Sequence, residues 1–243
     1  MIFPPEQRAG HFLEAGLGAV FFKRFDRDFA DLPPEGFAGF LGEKFPNLRG
    51  IVTGENFLFG RGAVGDSALL RRICRESGWK YRAVGGLFRD GERVSSTRLR
   101  RCLSEGDMPE YARLAGGSYA AEGAVEGGKR LGREIGFPTL NLPWKPECRP
   151  PYGVYAARVL EGGRAFEGVA NYGVAPSAGE LARPVVEANL FETPDFGTGA
   201  RIRAEFLKFL RPEKKFESLD ALKTQIAEDR AAAREYFAKS RRA

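Results

Sequence analysis

Val154-Tyr-Ala-Ala-Arg-Val-Leu160, then Glu161-Gly-Gly163, then Arg164-Ala-Phe-Glu-Gly-Val-Ala-Asn-Tyr172 is the stretch whose reading decides the fold. Both outer runs are short and contain the β-branched and aromatic residues that strands favour, and the paired glycines punctuate the chain between them. The pattern recurs on either side. Ser118 to Val125 and Pro138 to Leu142 precede it, and Val185 to Phe191 and Ile202 to Leu210 follow, with glycine or proline separating most of the runs. Short strands in succession, without intervening helices, predict an antiparallel barrel, which removes its own exposed edges. The final segment, from Ser218 to about Lys239, reads as one helix. Ser218 is its expected N-cap, and Leu219, Leu222, Ile226 and Ala233 are expected to face the barrel.

Upstream of Gly116-Gly117 the pattern changes. Apolar runs at Ala19 to Phe22, Arg49 to Thr53 and Tyr81 to Val84 read as strands, and Ser67 to Ser77 has helical spacing with Leu69, Leu70 and Ile73 on one side. Thr97 to Leu103 and Met108 to Leu114 read as further helices. Alternation of this kind predicts a parallel, Rossmann-like α/β arrangement. The chain therefore divides into residues 1–113 and 114–243, an α+β organisation in which a six-stranded barrel with a C-terminal helix follows a partial α/β domain.

Composition narrows the chemistry. Hydrophobic residues at 43% and charged residues at 29% are ordinary for a folded soluble protein, and 243 residues suit two modest domains. No apolar run has the length of a membrane span, and the opening Met1-Ile-Phe-Pro-Pro5 is no signal peptide, so no membrane partner is expected. Cys74, Cys102 and Cys148 are few and scattered, which fits a reducing compartment, the cytoplasm by default. His11 is the single histidine, so most metal sites and a Ser-His-Asp set are excluded, and proton abstraction falls to Asp, Glu or Lys. The net charge of +6 is spread without a basic arm, which favours phosphate groups of small molecules over nucleic acid.

Gly123-Ala-Val-Glu-Gly-Gly-Lys-Arg130 matches G-x-x-x-x-G-K but ends in Arg130, where a P-loop needs a hydroxyl, and strands surround it. The longer run, Gly128-Lys-Arg-Leu-Gly132-Arg133-Glu-Ile-Gly136-Phe-Pro138-Thr139-Leu-Asn141, carries more. Gly128, Gly132 and Gly136 let a loop lie close to a bulky anion with N–H groups turned inward, and Lys129, Arg130 and Arg133 add positive charge. Pro138 fixes the backbone before Thr139. Thr139 and Asn141, two apart on a predicted strand, share a face and offer hard oxygen donors of the kind that suit Mg²⁺ bound to nucleotide phosphates. A glycine-rich turn with solvated charges is the alternative on these residues alone.

Gly132-Arg133-x-x-Gly136-Phe137-Pro138-Thr139-x-Asn141 resembles the signature of the riboflavin kinase domain of bacterial bifunctional riboflavin kinase/FAD synthetases. The likeness continues through Gly153-Val-Tyr155, Gly168-Val-Ala-Asn-Tyr-Gly173, Pro176, Glu187, Phe209-Leu-Arg211-Pro-Glu-Lys-Lys-Phe216, Asp229 and Ala233-Arg234. It implies an enzyme that moves the γ-phosphate of ATP to the ribityl 5′-hydroxyl of riboflavin, giving FMN. Thr139 and Asn141 would hold Mg²⁺ and the ATP phosphates under the loop from Gly128 to Gly136. Glu187 would be the general base, with Arg211, in a mobile loop, and Phe216 on the flavin side. Leu140 stands where the family usually has Ala, Lys129-Arg130 where an acidic residue and glycine are frequent, and Asp195-Phe196-Gly197 where Asp-x-Tyr-Gly is common.

Gly54-Glu-Asn56-Phe-Leu-Phe-Gly60-Arg61 and Val94-Ser95-Ser96-Thr97-Arg98-Leu-Arg100 resemble the FMN adenylyltransferase module of the same enzymes. Ser95, Ser96, Thr97 and Arg100 would contact ATP phosphates at a helix N-terminus; read alone, Ser95 to Thr97 is a helix cap. The family's opening H-x-G-H loop has no counterpart in this stretch, Asn56 replaces a customary acidic residue, and two central strands of the family's sheet are lacking. Residues 1–113 by themselves are therefore expected to be incompetent for adenylylation, to leave apolar sheet edges exposed, and to keep the strands near Ala19 and Arg49 from being neighbours. The alternatives are a full bifunctional enzyme, of which this sequence is only a part, and a non-catalytic flavin- or nucleotide-binding module.

Overall fold

The computed structural model describes residues 1–128, 132, 135–175 and 183–242. They form two compact units, Ala9–Val94, and Met1–Arg8 together with Ser95–Ala243.

Three helices open the chain, α1 (Pro5–Glu14), α2 (Arg27–Ala30) and α3 (Pro34–Lys44), followed by strand β1 (Gly50–Gly54), helix α4 (Ser67–Glu76) and strand β2 (Lys80–Val84). β1 and β2 pair in parallel, Gly50 opposite Lys80 through Gly54 opposite Val84, with α4 as the crossover that parallel strands require. Asp66 caps α4 by accepting from the Leu69 N–H at 2.8 Å. The helix turns Leu70, Ile73 and Cys74 onto Ala38 and Phe59. Val52 and Val84 are 67% and 49% exposed, so this short sheet carries uncovered apolar side chains. The strand expected at Ala19 to Phe22 does not form. Residues 19–22 are irregular, with Phe21 and Phe22 exposed, because β1 pairs with β2 and the run has no ladder to join. A small hairpin missed in the sequence, β3 (Phe88–Arg89) with β4 (Glu92–Arg93), turns through Asp90 and Gly91 at φ 55° and 76°, the Asp-Gly turn that matches strand twist.

The other unit holds α5 (Ser96–Glu105), α6 (Met108–Ala115), β5 (Tyr119–Ala124), β6 (Leu140–Pro143), β7 (Gly153–Glu161), β8 (Arg164–Ala175), β9 (Arg183–Leu190), β10 (Arg201–Pro212) and α7 (Leu219–Ser240). All six strands pair antiparallel in the order β5-β10-β7-β8-β9-β6. β7 and β8 meet through Gly162 and Gly163 at φ 53° and 81°, left-handed positions that only glycine takes without cost. The sheet curls until the Glu126 N–H donates to the Asn141 carbonyl at 2.8 Å, bringing the two edges together in the expected barrel.

Alternation along the strands divides the apolar residues between two faces. Tyr119, Tyr155, Tyr172 and Phe206, joined by Trp144, fill the interior, with Tyr155–Phe206 and Trp144–Tyr172 ring centroids 4.9 and 5.2 Å apart. Contacts of that geometry are worth about 0.5–1.5 kcal/mol each beyond burial, so the interior is core and substrates must bind outside it. The outer face of β7 and β8 packs Val154, Ala156 and Val169 against Ala233 and Phe237 of α7. Ser218 caps this helix, accepting from the Ala221 N–H at 3.2 Å. Its buried line is Asp229, Ala233 and Phe237, spaced by four. Leu219, expected to face the barrel, is 53% exposed, because the first turn of α7 precedes the buried line.

Candidate active site

The site grows out of β9. Val186 and Ala188 point into the barrel, so Glu187 and Asn189 point to the outer face. Asn141 of β6 is paired directly with Glu187, and Glu187 directly with Asn171 of β8. Three polar side chains, those of Asn141, Glu187 and Asn171, thus lie in one row across three adjacent strands. Leu140 and Leu142 are buried, on the opposite face of β6 from Asn141.

Thr139 arrives by a different route from the one predicted. β6 begins at Leu140, so Pro138 and Thr139 stand just outside the ladder. Proline has no N–H to donate, and the Pro138 carbonyl accepts instead from Asn189 Nδ2 at 2.8 Å. Thr139 still faces the same cavity as Asn141. Gly128 lies against Asn141 and Gly132 against Thr139. A methyl group on Gly128 would collide with the Asn141 amide, and one on Gly132 would collide with the Phe137 carbonyl and sit 3.5 Å from Thr139 Oγ1. The Phe137 N–H closes the loop onto the Gly132 carbonyl at 2.6 Å.

Two cavities meet here. One, of about 580 Å³, is lined by Gly128, Gly132, Gly136, Pro138, Thr139 and Asn141, with Thr193, Phe196 and Arg230 also on its wall. The other, of about 230 Å³, is lined by Asn171, Arg211, Glu213, Phe216, Leu222, Ile226 and Asp229. Gly132, Phe137, Thr139, Glu187 and Asn189 line both. Thr139 and Glu187 therefore stand at the junction.

Burial pushes the Glu187 carboxyl above the ordinary glutamate range; a hydrogen bond from Asn171 opposes this, and the charge of Glu213 adds to it. A carboxylate so adjusted is a better proton acceptor near neutral pH than a solvated one. Arg211 is not in a loop, as the resemblance implied, but in the sheet, at the end of β10. Its Nε and Nη2 donate to the two oxygens of Asp229 on α7 at 2.8 and 2.7 Å, a two-pronged pair that fixes the guanidinium. Its Nη1 donates to the Pro212 carbonyl at 2.9 Å, and the group lies 5.9 Å from the Phe216 ring.

Lys129, Arg130, Arg133 and Pro176 lie outside the described residues. Ser95 caps α5, its hydroxyl accepting from the Arg98 N–H at 3.2 Å, while Ser96, Thr97 and Arg100 are exposed. Sequence reasoning gave no role to Asn171, Asn189, Asp229 or Arg230. A signal was present for Asn189 alone, an amide two residues from Glu187 on the same strand and so on the same face.

Comparison with known proteins agrees with this geometry. The riboflavin kinase family model matches residues 115–237 and the FAD synthetase model residues 1–98. The bifunctional riboflavin kinase/FMN adenylyltransferase of Escherichia coli (strain K12) is 36% identical over 232 residues, covering 95% of this chain and 74% of the relative. That of Bacillus subtilis (strain 168) is 30% identical over 248 residues, covering 100% and 77%. A crystal structure of a protein described as a macrolide-efflux protein from Streptococcus pneumoniae superposes with a TM-score of 0.82 at 25% identity, covering 96% of this chain and 75% of the other. Among the described residues no helix is long and apolar enough to cross a membrane. The barrel, its row of polar residues and these relatives lead to one assignment: the chain belongs to the family of bifunctional riboflavin kinase/FMN adenylyltransferases, and its C-terminal half is the ATP-dependent riboflavin kinase.

Proposed function

We propose that phosphoryl transfer takes place at the junction of the two cavities, with ATP under the glycine-bearing loop and riboflavin against Arg211 and Phe216. The observation that carries this reading is the direct pairing of Asn141 with Glu187, which sets a phosphate-side donor beside the one carboxylate common to both cavities. Glu187 accepts the proton of the ribityl 5′-hydroxyl as that oxygen attacks the γ-phosphorus, and the bond to the β–γ bridging oxygen breaks to release ADP. Thr139 and Asn141 hold the triphosphate in line, which is the larger part of catalysis where the transition state is loose. Gly128, Gly132, Gly136 and Pro138 shape the loop beside them, and Lys129, Arg130 and Arg133 supply positive charge from the same segment.

The donor set also fits a divalent cation. Thr139 and Asn141 offer neutral hard oxygens, and among the described residues no cluster of His, Cys, Asp or Glu could hold a metal by itself. Such a site suits Mg²⁺, which favours few protein ligands together with substrate phosphates. When bound, the ion would neutralise charge on the phosphate oxygens. The boundary at residues 113 and 114 is likewise proposed as the functional one, since the kinase match begins at residue 115, although α5 and α6 pack in the barrel's unit. No part in phosphoryl transfer is proposed for Ser95, Ser96, Thr97 or Arg100.

Incubation with riboflavin and ATP, with FMN separated by chromatography, tests the reading. FMN formation should stop when a chelator removes Mg²⁺ and return when Mg²⁺ is restored. Thr139→Ala should lower kcat/KM for ATP by about 10- to 100-fold, the scale of one lost contact to a charged group. An unchanged value would remove Thr139 from the nucleotide site.

A further inference from the structure

We propose that Arg230 is a positioning residue for ATP, setting the place of Thr139 through the side chain of Asn189. The inference rests on the reading of Thr139 as a phosphate contact and extends it to a residue on another element.

Arg230 follows Asp229 on α7 and lines the larger cavity. Its Nη1 donates to Asn189 Oδ1 and, at 3.0 Å, to the Leu190 carbonyl. The guanidinium lies 5.9 Å from the Phe137 ring and 5.2 Å from the Phe191 ring, a half-buried seat beside Arg234. Asn189 is only 5% exposed, so its amide must be satisfied within the protein. With Oδ1 committed to Arg230, Nδ2 faces and donates to the Pro138 carbonyl at 2.8 Å. The reversed amide would set an NH₂ against a guanidinium and an oxygen against a carbonyl, both repulsive. Arg230 and the Pro138 carbonyl together fix which way the amide points, and with Arg230 anchoring its oxygen the amide tethers the residue preceding Thr139. This tether matters because Pro138 and Thr139 stand outside the β6 ladder, whose pairing begins only at Leu140. Neighbouring residues on one helix thus serve both cavities: Asp229 holds Arg211 and Arg230 holds Asn189.

Steady-state kinetics of the full chain test this, with KM measured separately for ATP and for riboflavin. Arg230→Met should raise KM for ATP about ten-fold, the scale of losing one charge-assisted hydrogen bond, and leave KM for riboflavin within about two-fold of wild type. Asn189→Leu loses both the acceptor for Arg230 and the donor to Pro138 without adding a charge, so it should raise KM for ATP similarly. The double variant should be no worse than the worse single one, since both break the same connection. Arg230→Lys, which retains a donor and a charge, should recover part of the loss and gives the readout if Arg230→Met does not fold. Equal rises in both KM values, or single effects that multiply in the double variant, would overturn the proposal. Thr139→Ala separates the two levels. If it lowers kcat/KM for ATP while Arg230→Met and Arg230→Lys leave KM for ATP unchanged, the connection through Asn189 fails alone; if Thr139→Ala leaves kcat/KM for ATP unchanged, the reading of the site fails with it.

Discussion

Glu187→Gln is expected to cut turnover of riboflavin to FMN by about 10²–10⁴-fold, the usual worth of a positioned base, with little change in KM for ATP. The substitution keeps the shape and polarity of the side chain and removes only its capacity to accept a proton. Stability should move the other way. Burial holds the Glu187 carboxyl above the ordinary glutamate value, so the folded protein favours its protonated form. The stability from this group is present below the ordinary value and is lost as pH rises through the raised one. Wild type therefore carries a cost near neutral pH that a neutral amide at this position removes, and Glu187→Gln should melt no lower than wild type there. The same shift places the acid limb of the wild-type kcat/KM profile above the ordinary glutamate range. A Glu187→Gln enzyme with wild-type turnover, or a limb at the ordinary value, would take Glu187 out of the mechanism.

Asp229→Asn should be the most destabilising of the conservative changes near the site. Asp229 and Arg211 side chains are 7% and 21% exposed and joined by two hydrogen bonds. Removing one charge of a largely buried pair leaves the other uncompensated, which costs about 3 kcal/mol. In a chain of this size that lowers the melting temperature by about 6–12 °C. Arg211 would also lose its fixed place beside Phe216, so KM for riboflavin should rise more than KM for ATP. Thermal unfolding followed by circular dichroism checks the first effect. A loss under about 1 kcal/mol would mean that the pair behaves as a surface ion pair.

The barrel was legible because its signal is local. Six short apolar runs punctuated by glycine and proline can hardly form anything but an antiparallel sheet, and the observed strands lie within a few residues of those runs. The run at Ala19 to Phe22 misled because a short apolar segment becomes a strand only where a partner is available, and partnership is not a local property. Asn141 was one of two readings open on the residues alone and Glu187 was legible only through resemblance; their pairing depends on a register between strands more than forty residues apart in sequence, which no single segment encodes. Arg211 was misplaced for a related reason. The resemblance implied a mobile loop, yet the chain through Pro212 stays in the ladder with β7, and Asp229, from a helix, captures the guanidinium. Asn189 and Arg230 went unread because each acts on a partner that only the folded chain brings near.

The central claim is that Thr139, Asn141 and Glu187 form one site shared by nucleotide and flavin. A crystal structure of the chain with ADP, Mg²⁺ and FMN tests it most directly. The nucleotide phosphates are expected within reach of Thr139 and Asn141, and the FMN 5′-oxygen at hydrogen-bond distance, about 3 Å, from a Glu187 oxygen. Nucleotide bound away from the loop at Gly128 to Gly136, or a flavin 5′-oxygen remote from Glu187, would contradict it.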